Sequence, residues 1–227
     1  MNLKTCLAST GSAVLGMALP YAQSAETSSI RTEAATGPAT NAFARAASGN
    51  GATVIVARRS KLWTTTDGSS WTLYSSGTRC LLYDVAYGNG VFVTVGNEGT
   101  LLTSPDGVCW TGRNSGTDER LRGITFGNGL FVAVGYEGTV ITSKDGVRWT
   151  SQNSRTTERL QMVAYARGTF VAVGWRCVIL TSTKGTRWTL RSSGFSERLE
   201  DEIASRGGSC IAFDTCRIKD NFRKKFV

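Results

Sequence analysis

Histidine is absent from the 227 residues. That absence excludes every catalytic triad built on an imidazole base and every zinc site that needs imidazole. Proline is scarce, with 3 residues, and the 26 glycines lack the three-residue period of collagen. There is no G-x-x-x-x-G-K-[ST] phosphate loop. Long apolar runs are also missing. The most apolar N-terminal stretch, Cys6 to Pro20, is too short and too rich in Ser, Thr and Gly to span a bilayer. No stretch carries a sustained helical period. Charged residues make up 19% and hydrophobic residues 41%, which excludes a wholly disordered chain.

What is present begins with a secretory signature over residues 1–25. Lys4 supplies the positive start, CLASTGSAVLGMALP the apolar centre, and Ala22 to Ala25 the small-residue cleavage region. Residues 26–48 are small, polar and without period, and read as a disordered linker. Export makes the expected location periplasmic or secreted, with no transmembrane segment in the mature chain, and permits disulfides. Beyond Cys6 the cysteines are Cys80, Cys109, Cys177, Cys210 and Cys216, an odd number that cannot all pair within one chain. Cys80 with Cys109 and Cys210 with Cys216 are the pairings open to them.

The dominant signal is an internal repeat. Trp71, Trp110, Trp149 and Trp188 recur every 39 residues, within TTDGSSWT, SPDGVCWT, SKDGVRWT and STKGTRWT. Upstream lie VFVTVGNEGTLLTS from Val91, LFVAVGYEGTVITS from Leu130 and TFVAVGWRCVILTS from Thr169, with a diverged copy from Ala52. The apolar segments are rich in β-branched residues, and the Asp-Gly pairs at 67–68, 106–107 and 145–146 mark hairpin turns. Each unit reads as four short strands, in which LRGITF-type segments are the fourth. A repeat of this size with four strands predicts a β-propeller. The expected units are 49–87, 88–126, 127–165 and 166–204. Residues 205–227 form a degenerate partial repeat and a basic tail. With a one-residue slip, Ile203 to Ser205 matches Val163 to Tyr165, and SCIAFD from Ser209 matches TFVAVG. Three arrangements remain open: a small closed ring, an open arc that becomes a homo-oligomer, or a shortened relative of a longer protein.

The Ser-x-Asp-Gly-x-x-Trp-Thr phrase resembles the Asp box of BNR and sialidase-like propellers, with the Asp-to-Trp spacing one residue shorter. The fuller pattern, FVAVG-x-x-GT-x-x-TS-x-DG-x-x-WT, resembles the repeats of photosystem II stability/assembly-factor-like propellers. This resemblance covers about residues 49–204 and implies an all-β propeller fold. It also implies that the turn after the FVAVG strand and the connection between blades share one face, and that this face holds the ligand.

Asp67, Asp106 and Asp145 are expected to bond local backbone in their turns. Trp71, Trp110, Trp149 and Trp188 are expected to pack between blades. Glu119/Arg120, Glu158/Arg159 and Glu197/Arg198 repeat and read as salt-bridged structural pairs. The residues that vary on the ligand face are Asn97, Glu98, Tyr136, Glu137, Trp175 and Arg176, where an aromatic beside charged groups suits recognition of sugar or peptide. Glu98 and Glu137 occupy equivalent turns, so a glycosidase is the enzymatic alternative, but they recur as part of the turn phrase. The expected function is an exported, non-catalytic binding module for a glycan or polypeptide. An assembly-factor-like scaffold is its near variant. No cofactor or metal is implied. Lys and Arg exceed Asp and Glu by 26 − 17 = 9, which favours an acidic partner. Export argues against nucleic acid.

Overall fold

A computed structural model describes residues 45–57 and 61–191, and the backbone of 201–206 and 209–214. The expected signal, residues 1–25, most of the linker and the basic tail lie outside the described residues. The chain forms four antiparallel four-stranded sheets followed by a two-stranded hairpin. The first sheet holds β1 (Arg45–Gly49), β2 (Ala52–Ala57), β3 (Lys61–Thr65) and β4 (Thr72–Tyr74). The second holds β5 (Leu82–Gly88), β6 (Val91–Gly96), β7 (Leu101–Ser104) and β8 (Thr111–Arg113). The third holds β9 (Leu121–Gly127), β10 (Leu130–Gly135), β11 (Val140–Ser143) and β12 (Thr150–Gln152). The fourth holds β13 (Leu160–Ala166), β14 (Thr169–Gly174), β15 (Ile179–Ser182) and β16 (Thr189–Arg191). The hairpin is β17 (Asp201–Arg206) with β18 (Ser209–Asp214). No helix among the described residues is long and apolar enough to cross a membrane.

Two boundaries differ from the sequence reading. The LRGITF-type segment opens a sheet rather than closing one: β9 pairs with the β10 that follows it, Phe126 opposite Phe131. The units are therefore phased one strand earlier than 49–87 and its successors. A repeat has no marked start, and only strand pairing fixes its phase. The expected linker also runs too far. Arg45 to Ser48 lie in β1. Their small side chains, RAAS, carry none of the β-branched signal of the other first strands, so alternation could not reveal them. The slipped fifth copy takes the expected register: Ile203 pairs with Ala212 as Val163 pairs with Ala172.

The first strands β1, β5, β9 and β13 neighbour one another in order, with β17 beside β13. The row curves tightly, because the Arg45 guanidinium on β1 reaches the Met162 thioether on β13, 3.5 Å away. Three apolar clusters fill the joints between sheets. Val54 and Phe92 share one, Val93 and Phe131 the next, Val132 and Phe170 the third. Each joint receives a tryptophan from the turn of the following sheet. Trp110, Trp149 and Trp188 pack in the first, second and third joints, and each indole N–H donates to the turn glycine three residues earlier. Trp188 is buried, at 2% exposure.

A second lock repeats in the same joints. Tyr87, Phe126 and Tyr165 lie over Gly49, Gly88 and Gly127 of the preceding sheet, where a Cβ would strike the ring. Gly127→Ala is expected to cost about 2–3 kcal/mol in urea unfolding, because backbone and ring must separate in a filled joint.

Candidate binding site on the turn face

The turns between the second and third strands and the connections between sheets come together at one face, as the resemblance implied. Backbone bonds tie them. Asn97, Tyr136 and Trp175 donate to the carbonyls of Leu81, Arg120 and Arg159 at 2.8, 2.9 and 2.9 Å. Gly99 and Gly138 donate to Glu119 and Glu158 at 3.0 Å each. The turns are sharp. Glu98, Glu137 and Arg176 take left-handed φ of 52°, 51° and 51°. Gly138 follows at +63°, and a Cβ there would collide with the Thr156 carbonyl. On the connections, the hydroxyls of Ser115 and Ser154 donate to Thr117 and Thr156, whose own hydroxyls accept from the amides of Glu119 and Glu158. These short loops are thus braced before any ligand arrives.

The braced loops carry an alternating row of guanidinium groups and rings. Arg122 lies over Tyr83 at 4.4 Å, and Arg120 contacts Tyr83 at 5.8 Å and Tyr136 at 4.8 Å. Arg159 contacts Tyr136 at 4.6 Å and Trp175 at 4.5 Å. The row therefore reads Arg122, Tyr83, Arg120, Tyr136, Arg159, Trp175, across three sheets. All six residues are half-buried. Tyr83 donates its hydroxyl to Asn97 at 2.7 Å, and Arg120 donates to the Tyr136 hydroxyl at 3.1 Å. Such cation–ring contacts contribute roughly 0.5–2 kcal/mol each. They also fix the plane of each guanidinium.

Of the expected site residues, Asn97, Tyr136 and Trp175 stand in or beside this row. Arg176 pairs with Glu158 at 3.0 Å. Glu98 and Glu137 are exposed at the turn apices, and Glu98 accepts from the Cys80 thiol at 3.6 Å. Arg120 and Arg159 were read as salt-bridged pairs with their glutamate neighbours. They are not: among the described residues the salt bridges are Arg148–Asp145 and Arg176–Glu158. The pairing fails because adjacent residues on the connection diverge, and rings from the turns lie within reach of the arginines instead. Glu197 and Arg198 lie outside the described residues. Sequence reading missed Tyr83 and Arg122 because a bulge between Leu82 and Asp84 shifts the register of β5 beside Tyr83. Cys80 is a thiol and Cys109 is disulfide-bonded, so the Cys80–Cys109 pairing does not form.

Beside the row sits a desolvated carboxylate. Asp84 accepts from the amides of Val85 and Ile124, both at 2.9 Å. Burial lifts its carboxyl to about 6, against the pull of those amides and of Arg45 and Arg122. The turn aspartates behave oppositely. The Ser70 and Ser69 amides hold Asp67, and those of Arg148 and Val147 hold Asp145, below the ordinary carboxylate range. At Asp106 burial pushes upward, but the Val108 and Cys109 amides and the Ser104 hydroxyl outweigh it.

These shifts set a pH profile. A carboxyl raised in the folded state stabilises the fold fully below about pH 4, and that contribution is lost as pH rises through about 6. The depressed aspartates contribute above about pH 4 and lose their contribution on acidification. Thermal stability is therefore expected to peak between about pH 4 and 6. Asp84→Asn should flatten the decline from pH 5 to 7, a decline on the order of 2–3 kcal/mol in the wild type. Melting curves across pH check this. An unchanged slope in the variant would assign the decline to another group.

No protein-family model and no curated protein matches the sequence. Solved structures do. The fold is similar to that of YCF48 from Cyanidioschyzon merolae, with a TM-score of 0.54 and 16% identity over 70% of this chain and 60% of that one. It is similar to the computationally designed Ika8 protein, with a TM-score of 0.54 and 14% identity over 70% and 52% of the two chains. A structure of YCF48 bound to D1 peptide aligns with a TM-score of 0.48 and 20% identity over 64% and 51%. The chain spans about half to three-fifths of the length of the YCF48 chains. The sheet arrangement and these likenesses make the protein a β-propeller. In fold it resembles the photosystem II assembly-factor propellers.

Proposed function

We propose that the protein is an exported, non-catalytic propeller that binds acidic polypeptide segments on its turn face. The observation that carries this reading is the state of Arg159. Its guanidinium lies against the rings of Tyr136 and Trp175, and it has no hydrogen bond or ion pair to an acceptor among the described residues. A guanidinium held in plane by rings, with its N–H edge unengaged by protein, suits a carboxylate that accepts two parallel hydrogen bonds. Arg120 and Arg122 repeat the arrangement along the row, which suits an extended chain with more than one acidic side chain. The excess of basic residues favours the encounter.

The polypeptide reading is favoured over the glycan reading by the rings themselves. Sugar recognition uses open aromatic faces, whereas two guanidinium groups contact Tyr136 and one contacts Trp175. The YCF48 structures are propellers of this fold, and assembly-factor-like scaffolding is the role that fits a rigid, preformed binding face. For the glycosidase alternative, Glu98 and Glu137 would have to act from exposed turn apices, a poor setting for a proton donor whose pKa must be raised by burial.

The test is a peptide array probed with the full chain beside a glycan array. Retention on Asp/Glu-rich peptides, competed by salt and lost in Arg120→Ala/Arg159→Ala, supports the proposal. Binding confined to neutral glycans, or equal retention of the double variant, contradicts it.

A further inference from the structure

The joint locks follow a rule that extends past the fourth sheet. In the three joints between full sheets, the residue at the end of the first strand is glycine and the residue that meets it on the next sheet is aromatic. The pairs are Gly49 with Tyr87, Gly88 with Phe126, and Gly127 with Tyr165. Each aromatic is backed by a phenylalanine on its own second strand, at ring separations of 4.7, 4.7 and 4.6 Å.

The fourth sheet has Ala166 where the others have glycine, and the register of the hairpin puts Ser205 opposite Cys210 where Tyr165 stands opposite Phe170. The next position of β17, Arg206 opposite Ser209, is the one occupied by Gly49, Gly88, Gly127 and Ala166. An arginine there leaves no room for an overlying ring. The first sheet meets that condition. It has Ser48 and Thr53 in the aromatic positions, and their hydroxyls bond each other at 2.8 Å. Ser48 is exposed, whereas Phe92, Phe131 and Phe170, the counterparts of Thr53, are fully buried.

The tryptophan lock points the same way. The turn glycines Gly107, Gly146 and Gly185 press against Val54, Val93 and Val132 of the preceding sheet. Gly68 meets nothing among the described residues. The hairpin offers a β-branched residue at the matching register, Ile211 opposite Ala204, as Val93 stands opposite Ala86. The Arg45–Met162 contact already bends the first sheet back toward the fourth.

We infer that the outward face of the first sheet is the seat of the β17–β18 hairpin of the same chain. It closes a ring of five units through a polar joint in which Arg206 meets Ser48 and Ile211 receives Trp71. The joint lacks the aromatic plug of the first three and is the weakest of the ring.

A double-mutant cycle tests the joint on the full chain. Ser48→Tyr with Arg206→Gly restores the glycine–aromatic lock. In the closed ring the pair is expected to melt at least about 3 °C above the sum of the single shifts, with the same coupling at tenfold different protein concentrations. Additive shifts would overturn the inference. Coupling that grows with concentration would overturn it too, by showing that the hairpin of a second copy fills the seat. If Ser48→Tyr fails to fold alone, Trp71→Ala with Ile211→Ala gives a second cycle. Coupling there supports closure, and additivity contradicts it.

Discussion

Trp188→Ala is expected to lower unfolding stability by about 3–5 kcal/mol, the largest loss from any single truncation in the propeller. The indole is buried at 2% exposure among Val132, Leu130 and Phe170, so its removal opens a cavity at the joint between the third and fourth sheets. The Gly185 carbonyl loses its 2.9 Å donor at the same time. Two features limit relaxation. Gly185 already presses on Leu130 and Val132, so the turn is in contact with the preceding sheet and cannot sink into the gap. The four-stranded sheets are rigid on both sides. Trp149, which is only half-buried and whose ring lies 6.3 Å from that of Phe131, should cost less when truncated. Urea unfolding of both variants gives the comparison. Equal losses would mean that burial does not govern the tryptophan lock.

Arg159→Ala is expected to weaken binding of an acidic peptide by about tenfold or more, while changing stability by about 1 kcal/mol or less. Arg159 links the turn rings of the third and fourth sheets, so its loss removes a charged donor and frees Tyr136 and Trp175 from a shared plane. Arg159→Lys should rescue binding poorly. An ammonium keeps the charge but cannot offer two parallel donors or stack as a flat group. The binding itself should fall with added salt, since the site is half-buried rather than enclosed. Titration calorimetry with one Asp/Glu-rich peptide measures these effects. Full rescue by lysine would reduce the site to a charge patch and remove the role assigned to the rings.

The repeat was the most legible feature of the sequence, because Trp71, Trp110, Trp149 and Trp188 mark each unit at constant spacing. The four-stranded sheets and the shared turn face followed from it. The phase of the units did not, since a period has no origin until β9 is seen to pair with β10. β1 was invisible because its RAAS side chains are small and carry no alternation. At the site, Tyr136 and Trp175 were found by their departure from the repeat, but Arg120 and Arg159 were set aside for the opposite reason. Their recurrence suggested structure, and only the ring contacts show that a repeated residue can also be a repeated binding element. Tyr83 joins the row at a bulge, which periodic reading does not register.

The most direct measurement is amide hydrogen exchange on the full chain, with and without a saturating acidic peptide selected from the array. Protection is expected at the turns around Asn97, Tyr136 and Trp175 and at the connections through Arg120 and Arg159, all on one face. Protection gathered instead at the Asp-Gly turns around Asp106 and Asp145, on the opposite side of the sheets, would contradict the account and move the binding site off the row of arginines and rings.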